Sequence, residues 1–542
     1  MKRATLASAA LLAAVGALAI AFRLPRLADR PMHPDEAVQA YKTVLLYETG
    51  DYHYDPQEHH GPSLYYLGLV PIRLWAGDAA ATDDATLRLV PALFGAGVVL
   101  LVWLLRDGLG RPAALAAAFL AAVSPAMVFY SRYYIQEMLL VFFTLLAMAA
   151  GWRYLRTRHV GWAILAGLAV GLMHATKETC VIAYVAMAGA AGLVWLTTRG
   201  EIPAQPDAGP LVRRRDIALA SAVAVLVSVA LFTSFFTNAS GPIDSLRSYA
   251  YLVSRGYEGG IHNHPWHYYL GTLLGTLDGE WAGWRGVAHL MTHPRLPTGP
   301  VWTEALILGL ALIGAVAALS RRAVRGADSA LLKFLVFYTV LATAIYSAVP
   351  YKTPWCMLSF LVGMILLAGV GAVALVRWLR RRPLQVAVGV LLLGAAVHLG
   401  WQAHRAAFRF ATDSRNPYAY AQTYPGVLRV VDRLRELRAV AGGRLVVKVI
   451  SDENYWPLPW YLRGEEDVGW WDVPPDDADA PVVITTGGSQ AAVEAHLGDR
   501  YVQGIYGLRP GVMLVLGVRQ DLWDAFLASR SETAGPGRGG TP

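Results

Sequence analysis

The chain is poor in charge. Of its 542 residues only 16% are Asp, Glu, Lys or Arg, against roughly 25% in a soluble globular protein. It is also poor in cysteine: Cys180 and Cys356 are the only two. They exclude a disulfide framework and any cysteine-built zinc site, so packing is the expected role of each. No H-E-x-x-H spacing occurs among the histidines, and no tandem repeat of short period or duplicated half is visible. The net charge of +8 does not argue for a nucleic-acid partner, because cytoplasmic loops of membrane proteins are enriched in Lys and Arg.

What the chain does have is apolar sequence. The hydrophobic share is 55%, and it gathers into runs of about 20 residues, the length of a bilayer-spanning helix. The runs predict spans near 5–22, 86–105, 112–130, 136–155, 160–176, 179–197, 217–237, 301–319, 331–349, 355–376 and 384–400. The expected fold class is a polytopic α-helical membrane protein of about eleven transmembrane helices with a C-terminal extracytoplasmic α/β domain. "MKR" before the first run, with Ala17 to Ala19 as a cleavage pattern, resembles a signal peptide. The run continues to Phe22, so an uncleaved anchor is expected.

With the N-terminus cytoplasmic, the short basic clusters all fall inside, from Lys2 and Arg3 to Arg380–Arg382. A crossing at 63–77 would turn the later clusters outward. That stretch contains Pro71 and Arg73, and it is placed instead along the outer interface with the amphipathic stretch 37–48. Residues 1–400 are expected to form the membrane domain, with outer loops 23–85, 130–137 and 238–300. Residues 401–530 read as the α/β domain. "GRLVVKVI", "APVVITTGG" and "GVMLVLGV" look like strands, separated by helical "VLRVVDRLRELRAV" and "SQAAVEAHLG". Residues 531–542 read as a disordered tail.

This topology collects polar motifs on the outer side. They are "HPDEA" (33–37), "DPQEHHGP" (55–62), "YSRYYIQE" (130–137), "HATKET" (174–179), "GYEGGIHNHPWHYY" (256–269) and "YKTPWC" (351–356). Ionisable groups at a membrane boundary are costly unless paired or functional. A set at one depth suits a lipid-linked substrate with a polar, anionic head and its tail in the bilayer.

An apolar first helix, an acidic pair in a long first outer loop and an Arg/Glu-bearing second loop together resemble the GT-C superfamily of integral-membrane glycosyltransferases. The likeness is to its protein mannosyltransferase and aminoarabinose transferase group. More narrowly, "HPDEA", "DPQEHHGPSLYY", "SRYYIQE", "KET", "PYKTPW" and "LPWYLRG" resemble a prokaryotic family described as flippase-activity-associated. The resemblance implies transfer of a sugar from a polyprenyl-phosphate donor to an extracytoplasmic acceptor, with inversion, at the inner membrane. Protein, lipid or glycan is the acceptor, and the membrane lipid is a further partner. Component of lipid-linked glycan flipping and metal-dependent envelope-lipid hydrolase or ligase are the alternatives.

A phosphate-linked sugar already has its leaving group, so the chemistry asks chiefly for a base on the acceptor hydroxyl. The resemblance places a functional Asp at Asp35, with Glu36 second; the competing reading makes Asp35 the N-cap of a helix beginning at Ala37. The departing phosphate calls for cations, and Arg132, Lys177 and Lys352 are the candidates. The competing readings pair Arg132 with Glu137, and Lys177 with Glu178 or a neighbouring loop. Glu137 is expected from the resemblance to bind a metal or to orient Arg132. His59, His60, Glu58 and Glu178 are candidates to line the cleft. A divalent metal is possible on His33, His59, His60, His262 and His264, with His53 and His267 as further histidines. "ENYWPLPWYLRGEEDVGWWD" (453–472) offers aromatic faces for an acceptor sugar, or packing. "TTGGSQAA" (485–492) is a strand-to-helix turn able to take a phosphate.

Overall fold

The computed structural model describes residues 2–57, 60–198, 212–257, 260, 262–275, 302–320 and 326–533. The chain forms two compact units. The first comprises Met1–Leu27, Thr43–Ala411 and Arg415–Tyr420, and the second Ala28–Lys42, Thr412–Ser414 and Ala421–Pro542.

The first unit is helical. Among the described residues eight helices are long and apolar enough to cross a membrane: Leu6–Arg23, Asp84–Leu109, Glu137–Thr157, Cys180–Thr198, Arg214–Phe232, Ser329–Ala348, Pro354–Trp378 and Arg382–Arg409. Three more predicted spans are shorter apolar helices, Arg111–Val123, Val160–His174 and Ala305–Leu319. The protein is therefore a multi-pass membrane protein. The predicted span 112–130 breaks at Ser124. Pro125 has no N–H to continue the ladder and disfavours helical geometry before it, and the Ser124 hydroxyl caps the next helix, Pro125–Tyr130, by accepting from Met127 N (3.3 Å). Helices Ala305–Leu319 and Leu358–Trp378 approach backbone to backbone: a Cβ on Gly314 would overlap the Leu367 carbonyl, and one on Gly371 the Leu310 carbonyl. Small residues allow this contact where lipid supplies no hydrophobic drive. Residues 63–77 form helix Ser63–Pro71 and a π-helical turn Ile72–Ala76, with Leu74 and Trp75 strongly exposed.

The second unit takes in residues 28–42, far ahead of the rest in sequence. Met32 N donates to the Tyr461 hydroxyl (2.7 Å), Gln422 Nε2 to Pro31 O (3.3 Å), and Tyr41 meets Trp456 edge to face. Its sheet has five strands: β1 (Val447–Ile450), β2 (Val468–Trp471), β3 (Val482–Thr486), β4 (Tyr501–Arg509) and β5 (Val512–Arg519), in the order β2-β1-β3-β5-β4. β1 runs parallel to β2 and β3, while β5 is antiparallel to β3 and β4. Helix Gly426–Val440 lays Val427, Val430, Leu434 and Leu437 on one face of the sheet, against Val447, Val449, Val482 and Ile484. Helix Gln490–Leu497 covers Ile450 and Val483 on the other with Val493 and Leu497. Strands covered on both faces read as continuous apolar runs. A final helix, Gln520–Thr533, includes the first residues of the expected tail; 534–542 lie outside the described residues.

Candidate functional site

The "HPDEA" turn opens helix Pro34–Thr49. The helix begins three residues earlier than Ala37, so Asp35 is not its cap. His33 is: its carbonyl accepts from Ala37 N (2.9 Å) and its Nδ1 from Asp35 N (3.1 Å). Glu36 reaches back to accept from His33 N (2.9 Å), closing a reciprocal capping pair. Arg30 grips the same carboxylate with two bonds, 2.6 and 3.0 Å, and Glu36 is fully buried. The expectation of Glu36 as a second catalytic acid therefore meets a carboxylate already occupied on both oxygens. Its neighbour is different. The Asp35 side chain is 54% exposed, with His33 Nδ1 3.9 Å away.

In the first unit, "HATKET" joins helices Val160–His174 and Cys180–Thr198. The buried Lys177 ammonium forms an ion pair with Glu137, at the start of helix Glu137–Thr157. Burial alone would lower the Lys177 pKa, but the Glu137 carboxylate overrides it and the net shift is upward, so the charge is kept. Glu137 Oε2 has no hydrogen-bond partner among the described residues. Glu178 turns elsewhere. Its Oε2 meets His60 Nδ1 at 2.9 Å and its Oε1 accepts from the Tyr54 hydroxyl at 3.1 Å. Burial pushes the Glu178 pKa up, yet His60, a backbone N–H and Lys177 together outweigh it and hold the carboxyl below its ordinary value. The His60 side chain is 33% exposed. Gly61 makes this approach possible, since a Cβ there would overlap the Ala175–Thr176 backbone. Ser63 N donates to Ala175 O (2.8 Å) and the Ser63 and Thr176 hydroxyls meet at 2.8 Å, locking the two turns together.

Arg132 thus does not pair with Glu137, nor Lys177 with Glu178: Lys177 takes its partner from the neighbouring 130–137 stretch, as the competing reading also allowed, and Glu178 meets His60. Arg132 is committed to carbonyls that follow the first helix: Arg23 O (2.8 Å), Pro25 O (2.7 Å) and Arg26 O (2.9 Å). Its guanidinium also lies 4.3 Å from the Phe408 ring centroid. The acceptors left over at a helix end find their donor in this fork.

Lys352 is buried and similarly held. It donates from Nζ to His264 O (3.0 Å) and to Val349 O, and from its backbone N to His262 O (2.9 Å). Burial lowers its pKa. His262 Nδ1 bonds the Tyr420 hydroxyl (2.7 Å) and His264 stacks on Tyr268. His267 precedes helix Tyr268–Leu273, and exposed His53 meets Asp51 at 3.1 Å. Among the described residues no group of three or more His, Cys, Asp or Glu is placed to hold a metal ion. Glu58 and His59 lie outside the described residues.

In the 453–472 stretch Leu458 and Trp460 are buried, Arg463 lies over Trp460, and Trp470 stacks on Tyr455. In the "TTGGSQAA" turn Ser489 Oγ donates to Asp452 Oδ1 (2.5 Å), a side-chain acceptor at the place suggested for a phosphate.

Residues 14–240 match the family Dolichyl-phosphate-mannose-protein mannosyltransferase. ArnT from Cupriavidus metallidurans in the apo state is similar in structure, with a TM-score of 0.59 at 14% identity, covering 96% of this chain and 99% of that one. The fold is that of the GT-C membrane glycosyltransferases. The same ArnT bound to Undecaprenyl phosphate gives 0.59 at 14% identity, over 94% and 97% of the two chains. The Archaeoglobus fulgidus oligosaccharyltransferase, in complex with Zn and sulfate, gives 0.54 at 14%, over 95% and 76%. No curated protein sequence matches the chain.

Within this GT-C frame, two partners escaped sequence reading. Tyr54 carries no signal beyond its place in "DYHYDP". Arg30 does carry one: it is a cation in a first loop that the charge rule assigns to the side poor in cations.

Proposed function

We propose that the protein transfers a sugar from a polyprenyl-phosphate donor to an acceptor hydroxyl on the extracytoplasmic face of the inner membrane. The acceptor oxygen bonds to the anomeric carbon as the bond from that carbon to the phosphate oxygen breaks, inverting the centre. The hydroxyl proton passes to a carboxylate and polyprenyl phosphate departs with the electron pair. Asp35 is the proposed base, since it alone of the acidic pair in "HPDEA" keeps an open carboxylate. Lys177 is the proposed cation for the departing phosphate, with Glu137 as its positioning residue. His60, held by Glu178, is proposed to line the same end of the helical unit.

The observation that carries this reading is the buried Lys177–Glu137 pair next in sequence to the Glu178–His60 pair, set between apolar helices. A charge pair buried at the end of membrane helices is costly to keep, and a cation fixed there by Glu137 is placed to meet an incoming phosphate. The carriers named for the similar proteins, Undecaprenyl phosphate and Dolichyl-phosphate-mannose, favour a polyprenyl phosphate as that anion. The test is incubation of purified protein with radiolabelled polyprenyl-phosphate sugars. Donor consumption is expected from the native chain and its loss from Asp35→Asn. No consumption of any donor tested would sink the enzyme reading, and equal consumption by the variant would remove Asp35 as the base.

A further inference from the structure

Helix Gly241–Tyr257 is built the wrong way round for water. The side it turns inward carries polar groups beside the half-buried Leu252: Ser245 and Ser248 are buried, and the Tyr249 hydroxyl lies 3.6 Å from Cys180 Sγ. The Tyr251 hydroxyl accepts from Gln57 Nε2 (2.9 Å). The side it turns outward carries Ile243, Leu246, Ala250 and Val253, spaced three and four residues apart and all exposed; Leu246 and Val253 reach 65% and 62%. Arg247, which also donates to Asp244 Oδ1 (2.9 Å), and Ser254, both exposed, occupy a narrow strip along one flank of that apolar row. A helix packed on a protein in water buries its apolar row and exposes its serines.

The turn leading into the helix has the same character. Helix Arg214–Phe232 ends in three consecutive residues with left-handed backbone, Ser234, Phe235 and Phe236, at φ 50°, 57° and 76°. Such values are uncommon outside glycine, and for a bulky side chain they are true outliers. The turn is held by Phe235 N to Ala230 O (2.7 Å) and Asn238 N to Thr233 O (2.8 Å), and it leaves both phenylalanines exposed. Behind it the apolar helix Arg214–Phe232 exposes Val225 and Leu226.

We propose that residues 235–254 are a membrane-seated platform whose partner is the lipid bilayer itself. The exposed row of the helix and the Phe235–Phe236 pair lie among acyl chains at the interface, and Arg247 reaches the phosphate headgroups. This apolar surface continues the lipid-facing surface of the span that precedes it, which is why lipid is the occupant. The requirement is that of an interfacial helix: an apolar stripe, a cationic flank and no need to span. The inference is independent of which sugar, if any, the protein transfers.

The test uses the full-length protein in phosphatidylethanolamine–phosphatidylglycerol vesicles. A nitroxide is attached to Leu246→Cys, Val253→Cys or Ser254→Cys, and the parent chain is labelled in parallel to subtract Cys180 and Cys356. Leu246 and Val253 probes are expected to collide several-fold more with oxygen than with a water-soluble nickel complex, relative to the Ser254 probe. Equal access of nickel to all three would overturn the proposal. So would shielding of Leu246 and Val253 from both reagents, since that would mean a protein cover.

Discussion

Two short polar turns, "HPDE" in the second unit and "TKET" in the first, place ionisable neighbours beside helix starts and handle them in opposite ways. In the first turn the neighbours divide: Glu36 is buried under Arg30 and the His33 N–H, while Asp35 stays open. In the second turn both neighbours are closed, Lys177 on Glu137 and Glu178 on His60. A carboxylate that is buried and held on both oxygens is closed to an incoming proton donor. An open one is not. A closed pair gives up that freedom and gains a fixed position for a charge, which is what a phosphate subsite asks of a cation.

The widest separation is expected between Asp35 and Glu36. Asp35→Asn should lose ~10²–10⁴-fold in donor consumption, the usual worth of a general base, with no change in thermal unfolding. Glu36→Gln should instead lower stability, because Arg30 is left with a weakened partner; removal of one member of a buried pair costs about 3–5 kcal/mol. If both variants lose activity and stability together, the distinction between the two acids collapses.

Next in size is the Lys177–Glu137 pair. Lys177→Ala should destabilise by about 3–5 kcal/mol by stranding a buried carboxylate, and a Lys177→Met, Glu137→Leu double variant should regain much of that stability. Unfolding midpoints of the three proteins measure it. The double variant is expected to fold yet fail to consume donor. Recovery of consumption with both charges gone would end the phosphate role of Lys177.

Much of the fold is legible in the sequence because membrane helices are long apolar runs, and each predicted span coincides with an apolar helix. The run 112–130 misleads only at Ser124–Pro125, where local backbone chemistry outranks hydropathy. The α/β unit is legible where strands are buried on both faces, as in β1, β3 and β5. β2 carries Gly469 between aromatic and branched residues, and β4 carries Gly504 and Gly507, so neither shows a continuous apolar run. The site is legible by residue type and not by pairing. Lys177 and Glu137 lie on separate helices, and no local spacing reports that they meet. Arg132 shows the cost: its motif suggests phosphate, and its geometry answers three backbone carbonyls.

A smaller effect is expected from Gly61→Ala. The added methyl would press on the Ala175–Thr176 backbone and move His60 away from Glu178, at a cost of about 1–3 kcal/mol for overpacking. Donor affinity should weaken more than turnover, because His60 lines the proposed site without taking the proton. An unchanged KM would place His60 away from the donor.

The smallest effect is a dependence on pH that tests why Glu178 is closed. Its carboxyl titrates below the ordinary value of 4.5 because His60, with a backbone N–H and Lys177, outweighs burial. A group with a depressed pKa adds stability above its unfolded value and loses it as pH falls through the folded one. The native chain should therefore be destabilised by this group on acidification below about 4.5. In His60→Ala the strongest influence opposing burial is gone while Lys177 and a backbone N–H remain, so the Glu178 pKa rises and acidification costs the variant less through this group than it costs the native chain. Unfolding followed from pH 7 to pH 4 should show the variant's deficit shrinking as the pH falls. A deficit constant across that range would mean that His60 contributes packing and no charge to the Glu178 pair.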